Sequence, residues 1–357
     1  MSALVASPTM QDKVQVLQRT LYRAAKADPG RRFHALYDKV HRRDVLERAW
    51  VQVRANRGAP GIDRTTINDV EEYGVTRLLE ELAADLKEER WRPLPARRVW
   101  IPKPGSTEQR PLSIPAVRDR IVQAALKIVI EPVFEADFVA DSYGFRPKRS
   151  AHDALQVLID EAWRGRRWVV ETDIASCFEA IPHDRLVQAV EERISDRKVL
   201  KLLRAMLRAG VMEDGVVHGA VTGTPQGGVV SPLLCNVYLH RLDGQWQTRR
   251  FGRLVRYADD SRGDVRDPSA SRGRPCGAHG DVGRVGLGAE GVQDPDRAPG
   301  GGWRGVRLPR CDTRSHGSSG LADWRVGRVS DSELRRSVRD PSPPLAGVAG
   351  GGVHPLV

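Results

Sequence analysis

Apolar side chains recur at helical spacing through residues 11–56, where Leu36, Val40, Leu46, Trp50 and Val53 keep one face and Asp28-Pro29-Gly30 interrupts it. The pattern predicts helices on either side of that break. Arg57 to Asp63 holds two glycines and a proline and reads as a turn-rich loop. Residues 68–90 then read as one amphipathic helix, ending before Arg92-Pro93 because the residue ahead of a proline is pushed out of the helical region. Arg97 to Ile101 and Arg110 to Ile114 read as two short strands joined by Pro102-Lys103-Pro104-Gly105-Ser106, and a long helix is expected from Val117 to about Ala140.

Trp168 to Ile174 is a run rich in β-branched residues that ends beside an acidic one, the pattern of a strand. Helices are expected over 184–194 and 196–209. A glycine-rich loop, Thr222 to Gly228, opens a further helix from about Ser231 to Leu242. The strand Arg253 to Tyr257 then leads into Ala258-Asp259-Asp260. Strands interleaved with helices in this way indicate an α+β fold.

The character changes after Asp260. Residues 261–357 hold 19 of the 34 glycines of the chain and no Lys, Ile, Phe, Tyr, Met or Asn, and no helical or strand period persists there. With so few bulky apolar residues, this stretch is expected to lack a packed core and to show little regular structure. Its opening, Ser261-Arg262-Gly263-Asp264-Val265-Arg266-Asp267-Pro268, is expected to fray rather than form a buried strand, since buried charge is costly unless paired.

Charge and cysteines narrow the setting. Fifty-seven Lys and Arg against 46 Asp and Glu leave a formal net charge of +11, which favours a polyanionic partner. The four cysteines are widely spaced, with no CxxC pair and no histidine at zinc-ligand spacing, so reduced thiols are expected. The N-terminus lacks a basic segment followed by an apolar one, and nothing reaches 18 continuous apolar residues. Together these predict a cytoplasmic protein with no membrane partner.

Candidate chemistry lies at strand ends. Asp173 closes one strand, and the adjacent Asp259 and Asp260 close another. A lone aspartate in such a place is by default a cap or turn residue. Carboxylates converging from neighbouring strand ends, however, can hold two Mg²⁺ ions, which prefer oxygen ligands and can clamp both oxygens of an in-line phosphoryl displacement.

The surrounding residues carry a resemblance. Glu171-Thr172-Asp173-Ile174-Ala175-Ser176-Cys177-Phe178, then Gly223-Thr224-Pro225-Gln226-Gly227-Gly228 with the following Val229 to Leu234, then Tyr257-Ala258-Asp259-Asp260, resemble motifs A, B and C of reverse transcriptases in order and separation. The loop Arg57 to Asp63, the block Ile101-Pro102-Lys103-Pro104 with Arg110-Pro111-Leu112, and Ser142 to Pro147 make residues 10–260 similar to the bacterial group II intron branch, whose proteins also assist splicing as maturases. Retron and diversity-generating enzymes share motifs A to C but resemble Arg57–Asp63 and Gly223–Leu234 less.

The resemblance implies a right-hand polymerase. It places an N-terminal helical RNA-binding extension and the start of the fingers over 1–95, fingers over 96–165 and a palm over 166–260. The thumb is missing, and 261–357 is an aberrant, disordered tail. Asp173, Asp259 and the carbonyl of Ile174 would hold the catalytic Mg²⁺ ions, with Asp260 as a supporting carboxylate. Phe178 would be a steric gate against the ribonucleotide 2′-hydroxyl. Lys103 and Arg110 would grip the incoming deoxynucleoside triphosphate, and Gln226 would pack on nucleotide and template. Tyr143, Arg146, Lys148 and Arg149 would touch the intron RNA template, a DNA primer or target being the other nucleic-acid partner. The departure after Asp260 suggests a reading-frame shift in a GC-rich gene. Arg262 to Pro268 can be encoded CGT GGT GAT GTG CGG GAC CC, which read one nucleotide later gives Val-Val-Met-Cys-Gly-Thr, an apolar strand. Such a copy would have low activity; the alternatives are a non-catalytic RNA-binding maturase fragment or an inert relic.

Overall fold

The computed structural model describes residues 8–102, 105, 107, 109–166, 168–174, 177–219, 222–224, 227–249, 252–265 and 322–328. In chain order the helices are α1 (Pro8–Ala27), α2 (Tyr37–Val40), α3 (Arg43–Ala55), α4 (Ile67–Tyr73), α5 (Val75–Lys87), α6 (Val117–Glu135), α7 (Ala151–Trp163), α8 (Cys177–Ala180), α9 (His183–Glu191), α10 (Arg197–Arg208) and α11 (Ser231–Arg249). The strands are β1 (Ala96–Pro102), β2 (Gln109–Ile114), β3 (Trp168–Ile174), β4 (Val211–Glu213), β5 (Val216–His218), β6 (Leu254–Tyr257), β7 (Asp260–Val265) and β8 (Ala322–Arg328). They fall into two compact units: 8–138 with 181–238, and 139–180 with the described residues after 238. The expected α+β class holds.

In the first unit α6 is the core helix. Ile121, Val122, Ala125, Leu126, Val129 and Val133 are fully buried, and apolar residues occupy every side, as they must in a helix surrounded by protein. Helices α1, α2 and α3 pack on it. The single helix expected over 68–90 is two. Gly74 sits at φ +103 between α4 and α5, a conformation that breaks a right-handed helix, and Thr66 with Asp69 closes a capping box at the start of α4. Asp196 fastens the N-terminal segment to α10. Its Oδ1 accepts from the backbone N–H of Lys198 (3.0 Å) and Val199 (3.3 Å), and its Oδ2 accepts from Leu36 and Tyr37 N–H, both at 2.8 Å.

The sheet of this unit has the order β2-β1-β4-β5. Strands β1 and β2 form the expected hairpin, in register from Arg97↔Ile114 to Pro102↔Gln109. The β4–β5 hairpin was not expected, although Asp214-Gly215 at its tip marks one. Both residues have positive φ (48° and 82°), as a type I′ turn requires. Three-residue strands carry too little alternation to be read by period.

The second unit holds an antiparallel sheet of order β6-β7-β3-β8. Helix α7 begins at a Ser150–Asp153 capping box and packs on β6, where Tyr143, Ala154 and Val255 make a small core with Val157, Leu158 and Tyr257. One expectation is overturned here and another is qualified. Residues 261–265 do not fray: β7 pairs with β6 on one side and with β3 on the other. Residues 322–328 form a strand against β3 within the stretch expected to lack regular structure. In both cases main-chain hydrogen bonding proceeds whatever the side chains are. The rest of the expected tail, 266–321 and 329–357, lies outside the described residues.

Candidate active site

The end of β3 and the β6–β7 turn build the site. Tyr257 pairs with Asp260, so Ala258 and Asp259 are the two central residues of a tight hairpin. Ala258 takes φ +60°, the positive first position of a type II′ turn. The β3–β7 register ends at Thr172↔Ser261; one step further along it, Asp173 stands level with Asp260 on the neighbouring strand. On its other side Asp173 pairs with Asp323 of β8. Ile174, the last residue of β3, is buried, Asp259 is half-buried and Asp260 is exposed. The side chain of Asp173 lies outside the described ones. Among the described residues no three His, Cys, Asp or Glu side chains converge as a metal group.

The turn is held from two sides. A Cβ on Gly144 would come within 2.1 Å of the Ala258 nitrogen, so only glycine lets the 141–144 segment approach this closely. That segment runs beside β6: Tyr143 N–H donates to the Arg256 carbonyl (2.8 Å), and Arg256 N–H donates to the Asp141 carbonyl (2.9 Å). From the other side comes the Arg256 guanidinium. Its Nη1 donates to the Ala258 carbonyl at 2.8 Å, while Nε and Nη2 donate to the two carboxylate oxygens of Asp243, each at 2.8 Å. Nη2 also donates to Ser142 Oγ (2.8 Å). Arg256 is 0% exposed and Asp243 2%. Sequence reading missed this cluster, although a charge inside the apolar run Leu254 to Tyr257 was a visible oddity.

Gly144→Ala will therefore destabilise the chain by about 1–3 kcal/mol, the usual cost of forcing a methyl into filled space. Urea unfolding measures it, and an unchanged midpoint would mean that the turn is not seated on Gly144.

Of the residues expected to touch template, two have other employment. Tyr143 is buried in the α7–β6 core. Arg146 is buried too, its Nη1 donating to the carbonyls of Val139 and Ser142 at 2.6 Å each. Both help hold the 139–146 loop in place. Lys148 is exposed, at φ +60°, and the Arg149 guanidinium lies 5.4 Å from the Tyr143 ring centroid. Phe178, in α8, meets Phe145 edge to face with ring centroids 6.0 Å apart.

In the first unit, Arg110 is exposed on β2 opposite Ile101. Lys103 and Gln226 lie outside the described residues. The ends of the loop that carries Gln226 are described and firmly held. The Gly223 carbonyl lies 2.7 Å from His183 Nε2, and Gly223 N–H donates to the Ile181 carbonyl. Val229 N–H donates to Gln123 Oε1 (2.8 Å), and Gly227, at φ +104°, leaves no room for a Cβ against the Ser113 carbonyl. Nothing in the sequence marked His183 or Gln123 for this work. The loop 57–63 is clamped likewise: Arg97 Nη2 donates to the Pro60 carbonyl (2.8 Å) and Arg120 Nη2 to that of Ala59 (2.6 Å).

Residues 101–262 match the family described as reverse transcriptase (RNA-dependent DNA polymerase). Protein YkfC of Escherichia coli K12 is 39% identical over 236 residues, covering 64% of this chain and 61% of its own length. The group II intron-encoded protein LtrA of Lactococcus lactis subsp. cremoris is 38% identical over 213 residues, 59% of this chain and 35% of LtrA. A solved chain from a partial Cas6-RT-Cas1–Cas2 complex covers 65% of this chain and 38% of its own, with TM-score 0.44 and 22% identity. The matched region thus spans 61% of the first relative and 35% of the second. No helix among the described residues is long and apolar enough to cross a membrane.

Proposed function

We propose that this chain, whose residues 101–262 are a reverse transcriptase domain homologous to those of group II intron-encoded proteins, is built as an RNA-directed DNA polymerase that copies intron RNA from a DNA primer. The observation that carries this reading is the strand register, which sets Asp173 level with Asp260 and one step from the turn residue Asp259. Asp173, Asp259 and the Ile174 carbonyl are then the ligands of two Mg²⁺ ions, and Asp260 supports them. The set is oxygen-only, which suits a hard divalent cation. When bound, such a pair neutralises triphosphate charge and activates the primer hydroxyl for in-line attack.

The remaining roles are assigned to other side chains of the chain. Lys103 and the exposed Arg110 meet the triphosphate, Arg as a planar fork and Lys as a point charge. Gln226 packs against the incoming nucleotide, and its glycine neighbours allow close backbone approach. Lys148 and Arg149 meet the RNA backbone. The linear division follows: fingers begin within 1–95 and fill 96–165, the palm occupies 166–260, and 261–357 is read in a shifted frame, leaving this copy weakly active.

Manganese binding followed by electron paramagnetic resonance tests the centre directly. The chain will bind Mn²⁺, and Asp173→Asn and Asp259→Asn will each weaken binding at least about tenfold. Retention of wild-type affinity by both variants would defeat the assignment; intron-RNA binding with no Mn²⁺ binding would favour a non-catalytic maturase fragment.

Phe178 is proposed as the gate against ribonucleotides. Its ring is braced edge to face by Phe145, so it cannot swing aside freely. Phe178→Val will raise ribonucleotide over deoxynucleotide use at least about tenfold, the scale of a small change in pocket volume. The ratio of kcat/KM values for the two triphosphates measures this, and an unchanged ratio would refute the gate.

A further inference from the structure

We propose that the buried Arg256–Asp243 pair is a positioning device for the metal-holding turn, setting the peptide plane that delivers Asp259. The inference rests on the reading of Asp259 as a metal ligand.

Stability alone does not call for this pair. Taking two charges out of water is expensive, and replacing a buried ion pair by apolar residues of similar volume is often neutral or stabilising. What the pair provides is direction. Asp243 takes two parallel N–H donors of the guanidinium, which fixes its plane. With that plane fixed, Nη1 is aimed at the Ala258 carbonyl, and Nη2 also reaches Ser142 Oγ. The Ala258 carbonyl belongs to the same rigid amide as the Asp259 N–H, because a peptide unit is planar. Holding that oxygen therefore sets the orientation from which the Asp259 side chain departs.

The turn needs such a hold. Ala258 is a non-glycine residue at φ +60°, where a side chain is disfavoured, so the turn would relax unless its surroundings imposed the conformation. The Gly144 backbone confines the nitrogen of Ala258 and Arg256 holds its carbonyl oxygen, so the residue is gripped at both ends. Main-chain bonds from Arg256 to Asp141 and Tyr143 carry the same grip into the 141–144 segment. A lysine at 256 would keep the charge and lose the fork, since one ammonium cannot face Asp243 in parallel and reach Ala258 as well.

Terbium luminescence, sensitised by neighbouring aromatics such as Tyr257, reads the site without requiring polymerase activity. Four forms of the full chain are compared: wild type, Asp259→Asn, Arg256→Lys, and the apolar double variant Asp243→Leu/Arg256→Met. The expected result is emission that depends on Asp259 and is displaced by Mg²⁺. Arg256→Lys and the double variant should bind Tb³⁺ about 10–100-fold more weakly, the usual effect of losing a residue that orients a metal ligand. The double variant should unfold at a temperature close to that of the wild type, which separates positioning from stability. Emission that needs Asp259 but survives undiminished in both Arg256 forms would overturn the positioning role while leaving the metal site standing. Emission indifferent to Asp259→Asn would overturn the reading of the turn itself, and the positioning role with it.

Discussion

Restoring the reading frame in which Arg262 to Pro268 becomes Val-Val-Met-Cys-Gly-Thr will raise RNA-templated primer extension about a hundredfold or more over the chain as it stands. The expected size follows from the sensitivity of catalysis to displacements of about 1 Å. The expected defect is not a missing strand, since β7 pairs on both sides. It lies in what the strand carries. Ser261 is buried, and its Oγ has no hydrogen-bond partner among the described residues, which costs about 1–3 kcal/mol. Gly263 sits mid-strand between Val170 and Leu254, where glycine weakens a strand by about 0.5–1 kcal/mol. A strand so weakly specified lies next to the turn proposed to hold the metal ions, so Asp259 and Asp260 are expected to be held less tightly on that side than in the restored form. The measurement is one primer-extension assay in Mg²⁺ with both forms, and Asp259→Ala in the restored form as control. Equal extension by the two unmutated forms would sink the frame argument, and activity surviving Asp259→Ala would sink the site.

Between pH 5 and pH 8.5 the stability of Asp119→Asn will move by roughly 3 kcal/mol in its favour relative to the wild-type chain, at about 1.36 kcal/mol for each pH unit traversed below the folded pKa. Asp119 lies in the first turn of α6, 1% exposed; its Oδ2 accepts from Leu94 N–H at 2.9 Å, while Oδ1 has no hydrogen-bond partner among the described residues. Burial pushes its carboxyl up to about 7, with Asp63 adding to the rise and the Leu94 amide and Arg118 opposing it. A carboxyl whose folded pKa exceeds its unfolded one binds its proton more tightly in the native state. Its stabilisation is complete below the ordinary value of 3.8 and is lost as pH rises through about 7. Asparagine cannot ionise, so the variant escapes that loss. Urea titrations of both forms at the two pH values measure the difference, and a gap independent of pH would show that Asp119 titrates as an ordinary carboxylate.

Much of the fold was legible because its signals are local. The periodic helices α1, α3, α6 and α10, the β1–β2 hairpin and the strands β3 and β6 follow from spacing and from breakers such as Asp28-Pro29-Gly30. Where a signal was local but brief it was passed over, as with Gly74 between α4 and α5 and Asp214-Gly215 between β4 and β5. Asp173, Asp259 and Asp260 stood out through motif order and through the oxygen-ligand chemistry that carboxylates near strand ends afford, and their role remains the proposal made above.

By itself, the sequence determined that Asp173 would lie near the end of one strand and Asp259 and Asp260 just after another, and that the chain after Asp260 would be poor in apolar residues. Only the tertiary structure decided that Ser261 to Val265 would nevertheless be a strand, because β6 and β3 offer main-chain donors and acceptors on both sides and those bonds do not consult side chains. It alone paired Arg256 with Asp243 and brought Gly144 against Ala258. Such contacts depend on how α11, the 141–144 segment and β6 pack in three dimensions, and no period or local propensity along the chain encodes that distance.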